Sequence, residues 1–380
     1  MLRRIQHLRR DERGMTLVFV GVGFMAFLAA STLTIDVGMF MTARSQAQNS
    51  ADAGALAGAV ALVYNDFDDR TSSGPAVQSA LSTARGNTVM NGTVSVSPGD
   101  VTFPTGPTGL NNRVRVTVYR TGGRSNAVPT FMGSMLGVST VDIMARATAE
   151  ASPANAANCL LPFTVSDKWQ ENVDAPWMPD GTFDMYDKKG NLLNPPDVYI
   201  PGKNGTGYDA ELDKGTQLVI KADNGSQPSP SFYQAWAIPG NSGADDYREA
   251  IAGCNKTVVE TEFLMTAEPG NMVGPTRQGI EALVAQDPGA YWDGYCKCVK
   301  GSAYGLSPRI RPIPLYDPLY YETGKQQGRN ADLKMVSYLG FFVEGMQGNE
   351  VVGRIHPITA MTTGNGTTES SFAMAIRLVE

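Results

Sequence analysis

The chain opens with an arginine-rich segment that is followed by a long apolar run. Met15–Ile35 contains no ionisable side chain over 21 positions. As a helix, such a run is about 31 Å long at roughly 1.5 Å per residue, which matches the hydrocarbon core of a bilayer. A cleaved signal peptide has a shorter apolar region and a small-residue cleavage site directly after it. The pattern therefore predicts a retained transmembrane helix over residues 15–35, whose main anchor side chains are Met15, Phe19, Phe24, Phe27, Leu28 and Ile35.

The charges on the two sides of this run differ. The basic residues before it are Arg3, Arg4, Arg9, Arg10 and Arg13, and the next ones after it are Arg44 and Arg70. Cytoplasmic flanks carry the excess of Lys and Arg, so the sequence places residues 1–14 in the cytoplasm and the chain after Ile35 outside it. This flank also argues against a buried core helix. Cleavage of a prepilin-type signal after Gly14 is a weaker alternative, because Phe19 stands where such signals normally carry Glu.

The helix is predicted to continue beyond the membrane as a stalk over residues 36–64. This segment has no proline, and small residues recur at three-, four- and seven-residue steps that define one helical face. Gly54 and Gly58 form a small-xxx-small pair that permits close approach by a second helix. The face can pack on the chain's own domain or form a seam through which copies self-associate, and the pattern fits both. The predicted helix-packing residues are Ala43, Ala47, Gly54 and Gly58.

Residues 65–150 are predicted to form a small α+β domain. Pro75 and Gly86 bracket a short helical pattern. Strand-like runs follow at 93–97 and 113–119, and in the second run valines alternate with polar residues. A further short helix is predicted at 129–136 and a closing strand at 141–149.

A change of composition near residue 150 predicts the start of a larger β-rich domain over residues 155–380. The 13 basic residues among the first 167 are all arginine, and all four tryptophans and all four cysteines lie beyond the change. Strands are predicted at 162–166, 182–186, 217–222, 231–238 and 257–266, helices at 244–252 and 275–285, and C-terminal strands at 334–344, 351–359 and 372–379. The predicted fold class is α+β, with the transmembrane helix and stalk followed by these two domains.

The cysteines are Cys159, Cys254, Cys296 and Cys298. All of them lie in the part of the chain predicted to be outside the cytoplasm, where disulfides form. A zinc site is the alternative, but its paired cysteines are usually separated by two to four residues rather than one. A direct bond between Cys296 and Cys298 would close a very tight ring. We therefore expect two structural disulfides in which Cys159 and Cys254 each pair with one member of that close pair.

Signals for catalysis, a cofactor or a metal are weak throughout the sequence. It lacks the nucleophile-elbow and phosphate-loop patterns, and its only histidines are His7 and His356. His356 is expected to be an ordinary packed or surface residue. Asp184 and Asp187 could lie at a calcium-binding hairpin tip, but the ligand spacing of known calcium loops is missing. A net charge of −6 gives no basis for nucleic-acid binding. We expect no enzyme, no cofactor and no metal.

The residues that follow the apolar run resemble a known family. Asp36-Val37-Gly38 stands at the exit of the run, and Gln48-Asn49-Ser50-Ala51-Asp52-Ala53-Gly54-Ala55-Leu56-Ala57 follows in the stalk. With Glu12-Arg13-Gly14, they make residues 12–60 similar to TadE/TadG-like proteins of the tight-adherence (Flp pilus) assembly system. The motif residues are Asp36, Gly38, Gln48, Ala51, Asp52, Ala55 and Leu56. Many relatives also carry a von Willebrand factor A domain with a D-x-S-x-S metal site, and that motif does not occur here.

The resemblance implies a single-pass protein of the bacterial inner membrane whose bulk is periplasmic or extracellular. We expect a non-enzymatic structural component of Tad-type pilus assembly, with the lipid bilayer and other pilus-assembly or pilin-like proteins as partners. The second hypothesis is an adhesin-like binding protein. In it, aromatic residues of the β-rich domain, such as those at 231–236 and 291–292, recognise a glycan or peptide. Core packing explains the same aromatic residues equally well.

Overall fold

The computed structural model describes residues 13–379 apart from 66–68, 107–111, 172–180, 188, 203–204, 210–211, 223–227, 327–332 and 364–372. The arginine-rich tail, except for Arg13 and Gly14, lies outside the described residues. The fold is α+β, as the hydrophobic pattern predicts. The chain divides into two compact units, of which the first comprises Met1–Gly58, Thr71–Ala149 and Leu378–Glu380, and the second Ala59–Arg70 and Glu150–Arg377.

The first element is a single helix, α1, that spans Arg13–Tyr64 and contains 52 residues. This confirms the prediction that the apolar run and the stalk form one continuous helix. No proline interrupts it, and alanine, the best helix former, is frequent in its second half. Its exposed apolar surface lies near its start, whereas its fully buried alanines begin at Ala43.

The rest of the first unit is a short helix and a set of strands. Helix α2 (Pro75–Gly86) has proline in its first turn, as predicted, and buries a face that includes Ala80 and Ala84. The strands are β1 (Thr88–Val89), β2 (Gly92–Thr93), β3 (Val101–Thr102), β4 (Arg113–Arg120), β5 (Val128–Pro129), β6 (Thr140–Val141) and β7 (Ile143–Pro153), and 3-10 turns lie at Pro98–Asp100, Gly122–Arg124 and Gly133–Leu136. Strands β7, β4 and β3 are neighbours in one sheet.

Two local predictions for the first unit are wrong. Residues 129–136 do not form a helix, because β5 pairs antiparallel with β6 and only Gly133–Leu136 turns, as a 3-10 helix. The strand predicted at 93–97 is reduced to β2 and an isolated bridge between Ser95 and Tyr119. In residues 129–136, hydrogen bonds from the backbone to the distant Asp36 carboxylate hold the turn.

The elements from β8 onward make up most of the second unit. They are β8 (Ala156–Ala157), β9 (Phe163–Ser166), β10 (Gln217–Ala222), β11 (Phe232–Ala237), α3 (Ala244–Ala252), β12 (Val259–Glu260), β13 (Leu264–Ala267), α4 (Val273–Gln286), β14 (Tyr291–Asp293), β15 (Cys298–Lys300), β16 (Ile310–Tyr316), α5 (Pro318–Gln326), β17 (Leu333–Gln347), β18 (Glu350–Ile355), β19 (Ile358–Ala360) and β20 (Ala373–Leu378). Both predicted helices are confirmed as α3 and α4. The strand predicted at 182–186 is absent from the described residues, where Tyr186 only bridges to Leu192.

Six strands of the second unit close into a ring. The order is β9, β11, β10, β18, β17, β16 and back to β9. Closure leaves no free edge in the ring, and apolar side chains fill its inside. Phe163, Ile220 and Phe341 are fully buried in this core, to which α3 and α4 contribute Ile251 and Ile280. Trp236 and Tyr233 are buried core residues as well, so core packing explains the aromatic residues of β11.

The four cysteines form two disulfides, but the expected pairing is wrong. Cys159 bonds to Cys254, and Cys296 bonds to Cys298. The close pair can join because Lys297 between them adopts a left-handed conformation (φ 48°), which turns the two cysteines toward each other with their Cα atoms 5.2 Å apart. A separation of one residue therefore permits a bond that the sequence argument excluded.

Candidate functional site

The first half of α1 presents an apolar surface on which none of the described residues packs. Met15, Phe19, Phe24 and Phe27 are each more than half exposed, and Leu28 and Ile35 are exposed as well. Among the described residues, α1 is the one helix long and apolar enough to cross a membrane. So large a contiguous apolar surface is unfavourable in water and calls for an apolar environment.

Two polar side chains within this surface bond to the backbone of the helix itself. The Thr32 hydroxyl donates to the Leu28 carbonyl at 2.7 Å, and the Thr34 hydroxyl donates to the Ala30 carbonyl at 2.9 Å. Such bonds to the residue four positions earlier leave no hydroxyl proton unpaired. These two hydroxyl groups therefore meet the requirement that polar groups in lipid find their partners within the protein.

Asp36, the first ionisable residue after the apolar run, binds the turn between β5 and β6. Its carboxylate accepts hydrogen bonds from the backbone N–H groups of Phe131 at 3.0 Å, Met132 at 3.1 Å and Gly133 at 2.6 Å. The side chain is only 6% exposed. Gly133 permits the approach, because a Cβ there would lie 3.2 Å from the Asp36 carboxylate and 3.0 Å from the Val138 carbonyl.

The electrostatics of Asp36 favour its charged form. Burial by itself raises the pKa of this carboxyl group, but the three backbone N–H groups outweigh that effect. The net result is a pKa below its usual value. The family resemblance singled out Asp36, but no local pattern indicated its partners, which lie 95 to 97 residues further along the chain.

Other polar residues of the stalk bind the rest of the first unit. Gln48 donates to the Asp52 carboxylate at 2.8 Å and to the Arg146 carbonyl at 3.0 Å. Ser50 is buried and donates to the Ala84 carbonyl at 2.8 Å. Gln46, which the sequence argument did not single out, accepts a bond from the Met90 backbone N–H. The stalk thus makes specific polar contacts with α2 and with the loops around it.

The small-residue face of the stalk packs against its own chain. Ala43, Ala47, Ala51 and Ala55 are almost fully buried. A Cβ on Gly54 would lie 3.0 Å from the Ala84 methyl group, and one on Gly58 would lie 2.8 Å from a Val114 methyl group. Of the two arrangements that the pattern allowed, the structure contains packing on the chain's own domain. Leu56 is half-buried, and Gly38 is exposed with no atom within 4 Å of its would-be Cβ.

His356 is a packed residue, as expected. It is 2% exposed, and its ring lies 5.6 Å from the ring of Tyr64 and 5.9 Å from that of Trp292. Burial, with a smaller contribution from the charge of Lys214, lowers the pKa of His356 to about 4. It therefore lies neutral beside a small cleft, of which it forms part of the wall together with Tyr64 and Tyr304.

The structure brings together a different set of possible calcium ligands from the pair that the sequence suggested. Asp187 accepts bonds from the backbone N–H groups of Lys189 and Asn191 and so closes its own turn. Asp184 instead lies beside Glu171 and Asp197, and their carboxylate oxygens are within 4.8 Å of one another. Burial, and then the hydrogen bond to Asp197, raise the pKa of Glu171 to about 7. Three carboxylates could hold a cation. A search for local motifs misses this set because its three residues are far apart in the sequence.

The features of α1 fit a membrane-anchored protein, in which one apolar helix precedes an α+β part. Residues 14–61 match the Tad family, described as putative Flp pilus-assembly TadE/G-like. The match covers α1 up to the end of its buried alanine face, including every residue of the proposed motif. No curated protein and no solved structure matches the chain. A Tad-family match over a helix of this kind fits a component of a pilus system.

Proposed function

We propose that this chain is a non-enzymatic structural component of Tad/Flp-type pilus assembly, anchored in the bacterial inner membrane. Residues 1–14 would be cytoplasmic, residues 36–64 would form the stalk, and the parts at 65–150 and 155–380 would lie in the periplasm or outside the cell. The observation that carries the proposal is the match of residues 14–61 to the Tad family. The contacts of Asp36, Gln48 and Asp52 support it, since they give these residues a structural role.

The proposed role is to present the folded units to other assembly proteins at a fixed distance from the membrane. Because α1 is continuous from Arg13 to Tyr64, it provides a rigid connection between the anchor and the first unit. The second unit has two disulfides and a closed ring of strands. Such a rigid scaffold suits a protein that contacts assembly partners or the pilus. Any self-association of α1 would use surfaces other than its buried alanine face.

Deletion of the gene tests this proposal. We expect loss of surface pili in electron micrographs and loss of adherence, both restored by the wild-type gene supplied in trans. Cross-linking in intact membranes, followed by identification of the captured proteins, should recover other components of the pilus machine. Normal pili and adherence in the deletion strain would refute the proposal.

A second candidate function, recognition of a glycan or peptide by the second unit, is favoured by one group of residues. Tyr291, Tyr295 and Tyr304 are 56%, 99% and 53% exposed. Tyr304 lines a cleft of about 270 Å³ whose walls also include Lys300. An exposed aromatic ring that lines a cleft, as that of Tyr304 does, is suited to stacking on a sugar. Binding of the full chain to a glycan array, and its loss in Tyr295→Ala and Tyr304→Ala variants, would support this function. Absence of binding by the wild-type chain would exclude a glycan ligand of the array.

A further inference from the structure

The segment between β5 and β6 is an unusually apolar surface loop. No ionisable residue occurs between Arg124 and Asp142. Phe131 is 61% exposed and Val138 is 52% exposed. Their backbones are ordered by the turn itself, since the Thr130 hydroxyl donates to the Val138 carbonyl at 2.6 Å. Exposed apolar side chains are common on protein surfaces. The role of Phe131 and Val138 therefore has to be inferred from where the loop lies.

The position of this loop along α1 is fixed by Asp36. The three N–H···carboxylate bonds place the backbone of Phe131, Met132 and Gly133 within 3.1 Å of the Asp36 side chain. Asp36 directly follows the apolar run that ends at Ile35. The loop therefore lies at the level where α1 would leave the hydrocarbon core.

The exposed apolar surface of α1 extends beyond Asp36 at this level. Leu33, Val37 and Met41 follow one another at four-residue steps on one face, and they are 66%, 39% and 69% exposed. At roughly 1.5 Å per residue, Met41 lies about 9 Å beyond Ile35. The interfacial layer adds about 5–8 Å on each side of the hydrocarbon core. Residues 36–40 of α1, which reach about 7.5 Å beyond Ile35, thus fall within this layer together with the loop bound to Asp36, and Met41 lies at its outer limit.

We propose that the turn between β5 and β6 is a second membrane contact, in which Phe131 and Val138 insert into the lipid interface beside α1. The inference rests on the proposed anchor, and its partner is the lipid surface of the leaflet from which α1 emerges. The exposed apolar residues Leu33, Val37 and Met41, which flank Asp36 on the same helix, favour lipid over a protein partner. The absence of charge in the loop agrees with a site where burial of a free charge would be costly. The Asp36 carboxylate meets the same requirement because its partners are backbone N–H groups.

The consequence is that the first unit is attached to the membrane at two points. A single helix allows rotation and tilt about its exit point, whereas a second contact beside the exit restricts both. Asp36 would then join the two contacts, because it belongs to α1 and fixes the loop. This gives a mechanical reason for an acidic residue directly after the apolar run.

Site-directed spin labelling of the full chain tests the proposal. All four native cysteines are in disulfides, so a single added cysteine can be labelled under non-reducing conditions. Phe131→Cys and Val138→Cys would be labelled and reconstituted into vesicles of phosphatidylethanolamine and phosphatidylglycerol. Power saturation compares collisions of the label with oxygen, which concentrates in lipid, and with a water-soluble nickel chelate. We expect both labels to favour oxygen several-fold relative to a water-exposed site.

Two control positions make the outcome decisive. Ser82→Cys lies on the exposed side of α2, which packs on α1 near Gly54 and Gly58, about 27 Å beyond Asp36 at roughly 1.5 Å per residue. It should report water. Phe24→Cys, in the apolar run, should report lipid. Lipid at Phe24 with water at either Phe131 or Val138 would overturn the second contact and leave the anchor intact. Water at Phe24 as well would overturn the anchor on which it rests.

Discussion

Asp36 combines two properties that rarely occur together, because it directly follows an apolar run and yet keeps its charge. Three backbone N–H groups replace the water that a carboxylate would otherwise bind. Hydrogen bonds to a charged acceptor are stronger than neutral ones, and all three weaken when the charge is removed. The residue therefore acts on the turn between β5 and β6 rather than on α1 itself.

The first prediction concerns this carboxylate. In Asp36→Asn, we expect the backbone amides of residues 131–133 to exchange their hydrogens roughly tenfold to a hundredfold faster, because a neutral amide accepts these bonds poorly. Hydrogen-exchange mass spectrometry on peptides that cover β5 to β6 measures the change. Asp52→Asn is the matched control, since Asp52 accepts a neutral side-chain donor from Gln48 on the same helix. Equal exchange in Asp36→Asn and the wild type would contradict the role given to Asp36.

The second prediction concerns the buried imidazole. Burial lowers the pKa of His356 from 6.5 to about 4. Between these two pH values the imidazole is neutral in the folded chain and protonated in the unfolded chain. His356 thus contributes stability that is fully present above pH 6.5 and is lost as the pH falls toward 4. The chain has two histidines, so His7→Gln leaves one imidazole for titration by NMR. We expect a midpoint near pH 4, and a midpoint near 6.5 would show that the ring is solvated. Asp167, whose pKa burial raises to about 6, acts on stability in the opposite direction.

At the scale of elements, α1 and α2 meet through residues that have almost no side chain. Gly54 and Gly58 face α2 and β4 at distances that leave no room for a methyl group without movement of its neighbours. Close helix contacts of this kind maximise van der Waals packing. The same pattern in the sequence is compatible with a seam between two chains, so only the three-dimensional structure distinguishes the two uses.

The third prediction uses this contact. Gly58→Val should destabilise the protein by about 1–3 kcal/mol, as overpacking does, because its Cβ would approach Val114 to 2.8 Å. Gly38→Val is the matched control on the same helix, where no atom lies within 4 Å, and it should change stability by less than about 1 kcal/mol. Thermal unfolding of both variants in detergent provides the comparison. Equal effects would show that helix propensity, rather than packing, explains the glycine.

The fourth prediction separates the two disulfides. Cys159 and Cys254 are 95 residues apart, whereas Cys296 and Cys298 are two apart. Closing the longer loop destabilises the unfolded chain by about 4–5 kcal/mol in the chain-entropy view, which is far more than closing the short loop does. Cys159→Ala/Cys254→Ala should therefore lower the melting temperature strongly, and Cys296→Ala/Cys298→Ala only slightly. The reverse order would show that the tight hairpin, rather than loop closure, stabilises the second unit.

The sequence predicted correctly those helices whose formation depends on residues close together in the chain. The length of α1 follows from an uninterrupted helix-forming segment, and α2 follows from Pro75 and Gly86 at its ends. Strand β16 was missed because Pro312 and Pro314 interrupt a strand pattern, although it pairs with β17 and β9. The turn at 131–133 was mistaken for part of a helix because its hydrogen-bond acceptor is Asp36, far away in the chain. The sequence thus identified the motif residues of the candidate site, but it did not identify the residues with which they form hydrogen bonds.

At the scale of the whole molecule, one apolar helix connects an arginine-rich terminus to units that hold every cysteine in a disulfide. Disulfides persist in oxidising compartments and are rare in the cytosol. In the proposed orientation, the arginines and the disulfides would lie on opposite sides of the membrane. Both agree with the proposed orientation, and they do so through independent physical causes, namely charge and redox chemistry.

The fifth prediction tests this orientation through the cysteines. Replacing Arg3, Arg4, Arg9, Arg10 and Arg13 by Gln removes the positive flank, so a substantial fraction of chains should insert with the second unit in the cytoplasm. There the thiols stay reduced and react with a maleimide polymer, which shifts the band on a non-reducing gel. Replacement of the same residues by Lys keeps the charge and should leave the chain unshifted, like the wild type. If the Gln variant is also unshifted, the arginine flank does not set the orientation. A shifted wild-type band would instead place the second unit on the reducing side and refute the proposed location.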